Sequence, residues 1–92
     1  MLVGLDEVKN YLRIDGDYDD GLIEGLMEAG QDLCLVVMRC REQDVSEADK
    51  PQVRTAILYA VSYLYEHREE ADHNAFLLTV RSLLSGVRKE AF

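Results

Sequence analysis

The stretch Asp15-Gly-Asp17-Tyr-Asp19-Asp20-Gly21 spaces its carboxylates like the opening of a calcium loop. Such a loop needs glycine at its sixth position for the sharp turn and a bidentate glutamate at its twelfth. Counted from Asp15, those positions hold Asp20 and Leu26, so the stretch reads as a solvated, helix-capping turn. His67 and His73 stand six apart among Glu66, Glu69, Glu70 and Asp72. Zinc-binding imidazoles on one helix recur at three or four, so these do not share a face, and an exposed, charge-rich helix end is expected. Cys34 and Cys40 lack Cys-x-x-Cys spacing. Six residues of helix separate them by about 9 Å, beyond the reach of a disulfide, which leaves two reduced thiols of a cytosolic protein. Ser46, Ser62, Ser82 and Ser85 lie in no Gly-x-Ser-x-Gly context, and no glycine-rich phosphate loop follows a strand. No enzyme, metal or cofactor is expected.

The elements that would position these residues are helical almost throughout. Leu5, Val8, Tyr11, Leu12 and Ile14 mark a short amphipathic helix with Asp6 and Glu7 in its first turn, where they complement the helix dipole. The spacing then predicts a second helix from about Asp17, capped by Asp17 with Asp20 three residues on. Its apolar stripe is Ile23, Leu26, Met27, Gly30, Leu33, Cys34, Val37 and Met38. A polar loop spans Arg41 to Lys50, and Pro51 fits the first position of a third helix. That helix carries Val53, Ala56, Ile57, Ala60, Val61 and Leu64 and should end near Glu70. After the link Ala71 to Asn74, a fourth helix presents Phe76, Leu77, Val80, Leu83, Leu84 and Val87. No sustained alternation or hairpin turn signals a strand. The expectation is an all-α single domain over residues 1–92, a small bundle of about four helices.

Ninety-two residues are too few for two cores. A balance of 48% apolar and 30% charged residues excludes a disordered or low-complexity chain. Acids outnumber bases 18 to 10, giving a net charge of −8. Sequence-independent phosphate binding needs clustered Lys and Arg, so a DNA-wrapping or RNA-coating role is excluded. Residues 1–32 hold nine acids and two bases, while residues 51–92 balance five against five. The first seven residues lack the basic start of a signal peptide. Leu33 to Met38, the longest apolar run, is far too short to span a membrane.

Two features exceed what a four-helix monomer needs. Leu33 to Met38 is apolar on every face, and Leu58, Tyr59, Tyr63 and Tyr65 lie partly off the third helix's stripe. A helix that is apolar all round must be covered all round. Leu35, Val36, Leu58, Tyr59, Tyr63 and Tyr65 are therefore candidate subunit-interface residues, although neighbouring helices of the same chain are an alternative cover. Asp20, Glu24 and Glu28 recur every four residues and share one helical face.

The ordered set of motifs resembles a known family. Leu5-Asp-Glu-Val-Lys-Asn-Tyr-Leu-Arg-Ile-Asp15, an acidic turn and Leu22-Ile-Glu-Gly-Leu-Met-Glu-Ala29 look like the opening of the head–tail connector proteins of long-tailed bacteriophages and prophages. Pro51, Val53, Ala56-Ile57-Leu58 and Leu64-Tyr-Glu-His-Arg-Glu69 resemble its third-helix signature. Val80-Arg-Ser-Leu-Leu-Ser85, with Arg88 beyond, resembles its C-terminal ending. Gly4 departs from the usual Ser or Thr cap and Gly30 from a common alanine, and the second helix lacks the aromatic and glycine that often end it.

The resemblance implies a non-catalytic virion protein. Its helical subunits would stand side by side in a ring of about twelve copies, heterologous contacts closing the circle. Its partners would be the portal protein above and a head-closure or tail protein below. DNA would pass through without specific binding, beside channel-facing acids drawn from Asp20, Glu24 and Glu28. Arg88, Lys89 and Phe92 would form a portal-docking tail. The protein would reside in the host cytoplasm during assembly and then in the virion neck. The alternative is a small cytosolic helical interaction or regulatory module that binds a protein partner. A helix-turn-helix repressor is disfavoured, because the only basic stretch, Arg81 to Lys89, is also the apolar fourth helix.

Overall fold

A computed structural model describes residues 1–67 and 73–87. Its helices are α1 (Leu5–Leu12), α2 (Asp20–Met38), α3 (Lys50–Glu66) and α4 (Asn74–Leu83), with a single 3-10 turn at Glu42–Asp44 inside the polar loop. No strand occurs among the described residues. The all-α bundle expected from periodicity is the observed architecture.

The antiparallel-type pairing of long helices organises the molecule: α2 packs chiefly on α3, α4 covers α3, and the short α1 bridges α2 and α3. The stripe residues Ile23, Met27, Cys34 and Met38 of α2 meet Val53, Ala56, Ile57, Ala60 and Val61 of α3, with Val8, Phe76, Val80 and Leu84 closing the core. Gly30 faces α3 where a Cβ would lie 3.0 Å from Val61 Cγ2 and 3.5 Å from Ala60 Cβ, so the departure from alanine lets α2 and α3 pack tightly there. The molecule measures 41 × 30 × 17 Å. Through its thin dimension it is two helix layers deep at most, which leaves every long helix with an outward face.

Helix ends differ from the sequence reading in instructive ways. Helix α2 begins at Asp20 after Asp19, and Asp17 caps nothing. The Asp20 carboxylate instead holds Lys9 Nζ of α1 at 2.8 Å. Helix α3 starts at Lys50, one residue before Pro51, and ends at Glu66, four before the expected boundary. Helix α4 stops at Leu83, because a turn through Gly86 (φ 88°) folds Val87 back into the core. Gln52 Nε2 donates to the carbonyls of Leu83 and Ser85 at 2.7 and 2.9 Å, satisfying acceptors that the helix end leaves open.

Both α1 and α2 end in arginine. Arg13 (φ 60°) and Arg39 (φ 56°) are left-handed, and each sits in a Schellman closure. Ile14 N–H donates to Lys9 O and Arg13 N–H to Asn10 O; Cys40 N–H donates to Leu35 O and Arg39 N–H to Val36 O. Glycine usually fills that position, so no sequence signal marked these two stops.

Candidate interaction site

No cluster of His, Cys, Asp or Glu suited to a metal occurs among the described residues, and no described helix is long and apolar enough to cross a membrane. Cys34 is buried and Cys40 half-buried, both free; burial pushes the Cys34 thiol up to about 12. The two histidines are not exposed as expected. His67 stacks on the Tyr63 ring at a centroid distance of 4.4 Å, and His73 Nδ1 lies 3.1 Å from the Tyr63 hydroxyl. The physical reason is the packing of α4 on α3, which brings both imidazoles to one aromatic ring although they share no helical face.

The six interface candidates divide. Tyr63 stacks face to face on Phe76 of α4 at 4.1 Å, and Tyr59 meets the same ring at 5.8 Å. The Tyr65 hydroxyl donates to Asp19 Oδ2 at 3.2 Å, tying α3 to the start of α2. Leu58 and Leu35 are half-buried against the core. Much of the off-stripe aromatic surface of α3 is thus used within the chain. Val36 is different: it is 72% exposed on the outward face of α2. With Leu35, Cys40, Asp32, Arg39, Arg41 and Asp44 it lines an open groove at the C-terminal end of α2.

The acids also divide. Glu24 and Glu28 are exposed and make no ion pair among the described residues. Asp20 is half-buried, and its charge is offset by Lys9; the hydrogen bond that the Lys9 ammonium donates to that carboxylate holds its pKa above the ordinary value. Tertiary contact, which the four-residue spacing does not report, separates Asp20 from the other two. Arg88, Lys89 and Phe92 lie outside the described residues.

Sequence reasoning missed three residues. Gln31 is buried on α2. It accepts from Leu2 N–H at 2.7 Å and donates to Glu42 Oε1 at 2.9 Å, and Glu42 also meets the Met1 amino group at 2.8 Å. These contacts, led by the amino group, hold the Glu42 carboxyl below its usual range. Gln52, the α4 cap, is the second. Tyr18 is the third: it stands 98% exposed in the α1–α2 turn, just after exposed Asp15 and Asp17. A lone aromatic inside an acidic turn was the available signal for it.

A family model described as Phage gp6-like head-tail connector protein matches residues 3–90 of the chain. No curated protein and no solved structure matches it.

Proposed function

The chain belongs to the gp6-like phage head–tail connector family, and from that premise we propose that it forms a ring under the portal that extends the DNA channel and docks the next neck or tail component. The family is structural and not enzymatic, and its members are components of the virion. The observation that carries the reading is the match across residues 3–90, nearly the whole chain. The flat two-layer bundle supports it, because such a shape leaves apolar surface at Val36 that the chain itself does not cover. In this reading Val36 and Leu35 lie at the subunit contact, with the outer edges of Leu58, Tyr59, Tyr63 and Tyr65 as flanking surface.

Glu24 and Glu28 line or flank the channel, and Asp20 contributes little beside them because Lys9 offsets its charge. A basic wall would gain affinity with each phosphate neutralised and would hold the genome back. An acidic wall costs modest repulsion, screened beyond about 8 Å at physiological salt. Arg88, Lys89 and Phe92 form the portal-docking tail. The complex is assembled in the host cytoplasm and ends in the virion neck, with roughly twelve copies closing the circle through heterologous contacts.

Mass measurement of the purified chain over a concentration range, alone and with portal-bearing capsids, tests the reading. Discrete multimers in solution or on capsids are expected, and Val36→Asp should reduce them while helicity stays intact. A chain that is monomeric at every concentration and does not bind such capsids overturns the proposal in favour of a regulatory module with another partner.

A further inference from the structure

Tyr18 is an aromatic ring that nothing in its own chain touches in earnest: it is 98% exposed, and Asp15 and Asp17 beside it are exposed as well. Exposed tyrosine of this kind is typical of contact surfaces, where the ring is buried and the hydroxyl finds a partner. At the other end of α2 lies the groove of Leu35, Val36 and Cys40, the largest exposed apolar side chain there being Val36. Arg39 and Arg41 stand at its edge. Arg41 shares the Asp44 carboxylate at 3.3 Å, whereas Arg39 makes no ion pair among the described residues. Helix α2, which follows the tip and carries the groove near its C-terminal end, is 19 residues, or about 28 Å, long.

Resting on the reading above, we propose that the acidic Tyr18 tip of one subunit docks into the Val36 groove of the next copy of this chain. Tyr18 covers Val36 and Leu35, Arg39 meets Asp15 or Asp17, and Asp32 on the groove wall accepts the Tyr18 hydroxyl. Charge disfavours the tip-to-tip alternative, which sets four exposed carboxylates against each other, whereas tip to groove gives Arg39 a carboxylate partner; Arg41 is already held by Asp44. Tip to groove joins opposite ends of the same helix, so the contact is heterologous and leaves each subunit with one free tip and one free groove. Such contacts propagate, and close into a ring when the rotation permits. The left-handed backbone at Arg39 is consistent with this use: it keeps a cation, in place of glycine, at the mouth of the groove.

The native thiol Cys40 lines the groove, and Cys34 is buried, so the contact can be trapped covalently. Tyr18→Cys in the full-length chain, oxidised mildly with diamide, should give a ladder of dimers, trimers and longer chains on a non-reducing gel. Peptide mapping should find position 18 of one chain joined to Cys40 of another, and adding Cys40→Ser should remove that bond. Independently, Asp17→Arg and Arg39→Asp should each lower the multimer fraction severalfold, and the double variant should restore it. Bonds only between like positions, or a double variant no better than either single one, overturn the proposal. If multimers or capsid-bound rings persist in that case, the ring reading stands and only this contact falls; if neither multimers nor capsid binding is seen, both fall.

Discussion

At the scale of single residues, the environments of two thiols and one carboxylate make separable predictions. Burial pushes the Cys34 thiol up to about 12, so at pH 8 only about one part in ten thousand is the reactive thiolate. Half-buried Cys40 suffers no such enclosure. Iodoacetamide at pH 8 should add one label per native chain, at Cys40, and two in denaturant, as read by intact mass. Glu42 is held low by the Met1 amino group and the Gln31 amide. A carboxyl lowered in the folded state contributes stability above its unfolded value near 4.5 and loses it as pH falls through the folded one. Glu42→Gln should therefore flatten the acid side of the stability curve below pH 4.5 and leave the neutral region's slope unchanged. Gly30→Ala sets two effects against each other. Helix propensity favours alanine by about 1 kcal/mol, whereas overpacking costs about 1–3 kcal/mol. The contact at 3.0 Å is with Val61 Cγ2, a β-branched side chain with one favoured rotamer in a helix, so it yields poorly. The substitution should destabilise by about 1 kcal/mol, a fall in Tm of roughly 4–8 °C by thermal melting.

At the scale of elements, the helix ends carry the tests. Gln52 crosses from α3 to donate two bonds, to Leu83 O and Ser85 O. Because these carbonyls are near solvent, Gln52→Ala should cost only about 0.5–1.5 kcal/mol. Its clearer signature is local: amide exchange should quicken in the Leu84–Val87 turn and stay unchanged in α1. The two arginine stops make a matched pair. Left-handed backbone costs a non-glycine residue about 1 kcal/mol, so both Arg13→Gly and Arg39→Gly should raise Tm by a few degrees. Only Arg39→Gly should also lower self-association, because Arg39 borders the groove and Arg13, the C-cap of α1, does not.

At the scale of the whole molecule, a thin bundle leaves apolar surface exposed at Val36, and in the proposed ring that surface lies at the subunit contact. A contact steered by Arg39 against an aspartate tip weakens as salt screens it. Multimers of the purified chain should thus decline between low and high ionic strength, while the monomer's helicity is unaffected. Removal of residues 88–92 should spare that self-association and abolish binding to portal-bearing capsids, as measured by co-sedimentation. Unchanged co-sedimentation would assign the docking role to another surface.

The helix content, the order of the four helices and nearly all of the core were legible in the sequence, because a 3.6-residue apolar period is a local property that a chain displays before it folds. The connector family was legible for a related reason: the resemblance rests on ordered helix-surface patterns in Leu5–Asp15, Pro51–Glu69 and Val80–Ser85, and the family match spans all three. Helix ends were less so, since Arg13 and Arg39 occupy a conformation that sequence assigns to glycine, held there by backbone bonds and not by their side chains. What only the tertiary structure decided is which outward-pointing side chains remain outward. Spacing grouped Asp20 with Glu24 and Glu28, and Val36 with Tyr59 and Tyr63. Lys9 of α1 and Phe76 of α4, residues distant in sequence, reached across and took Asp20 and the two rings out of each set. Exposure depends on the arrangement of every helix at once, and no one helix's period contains it.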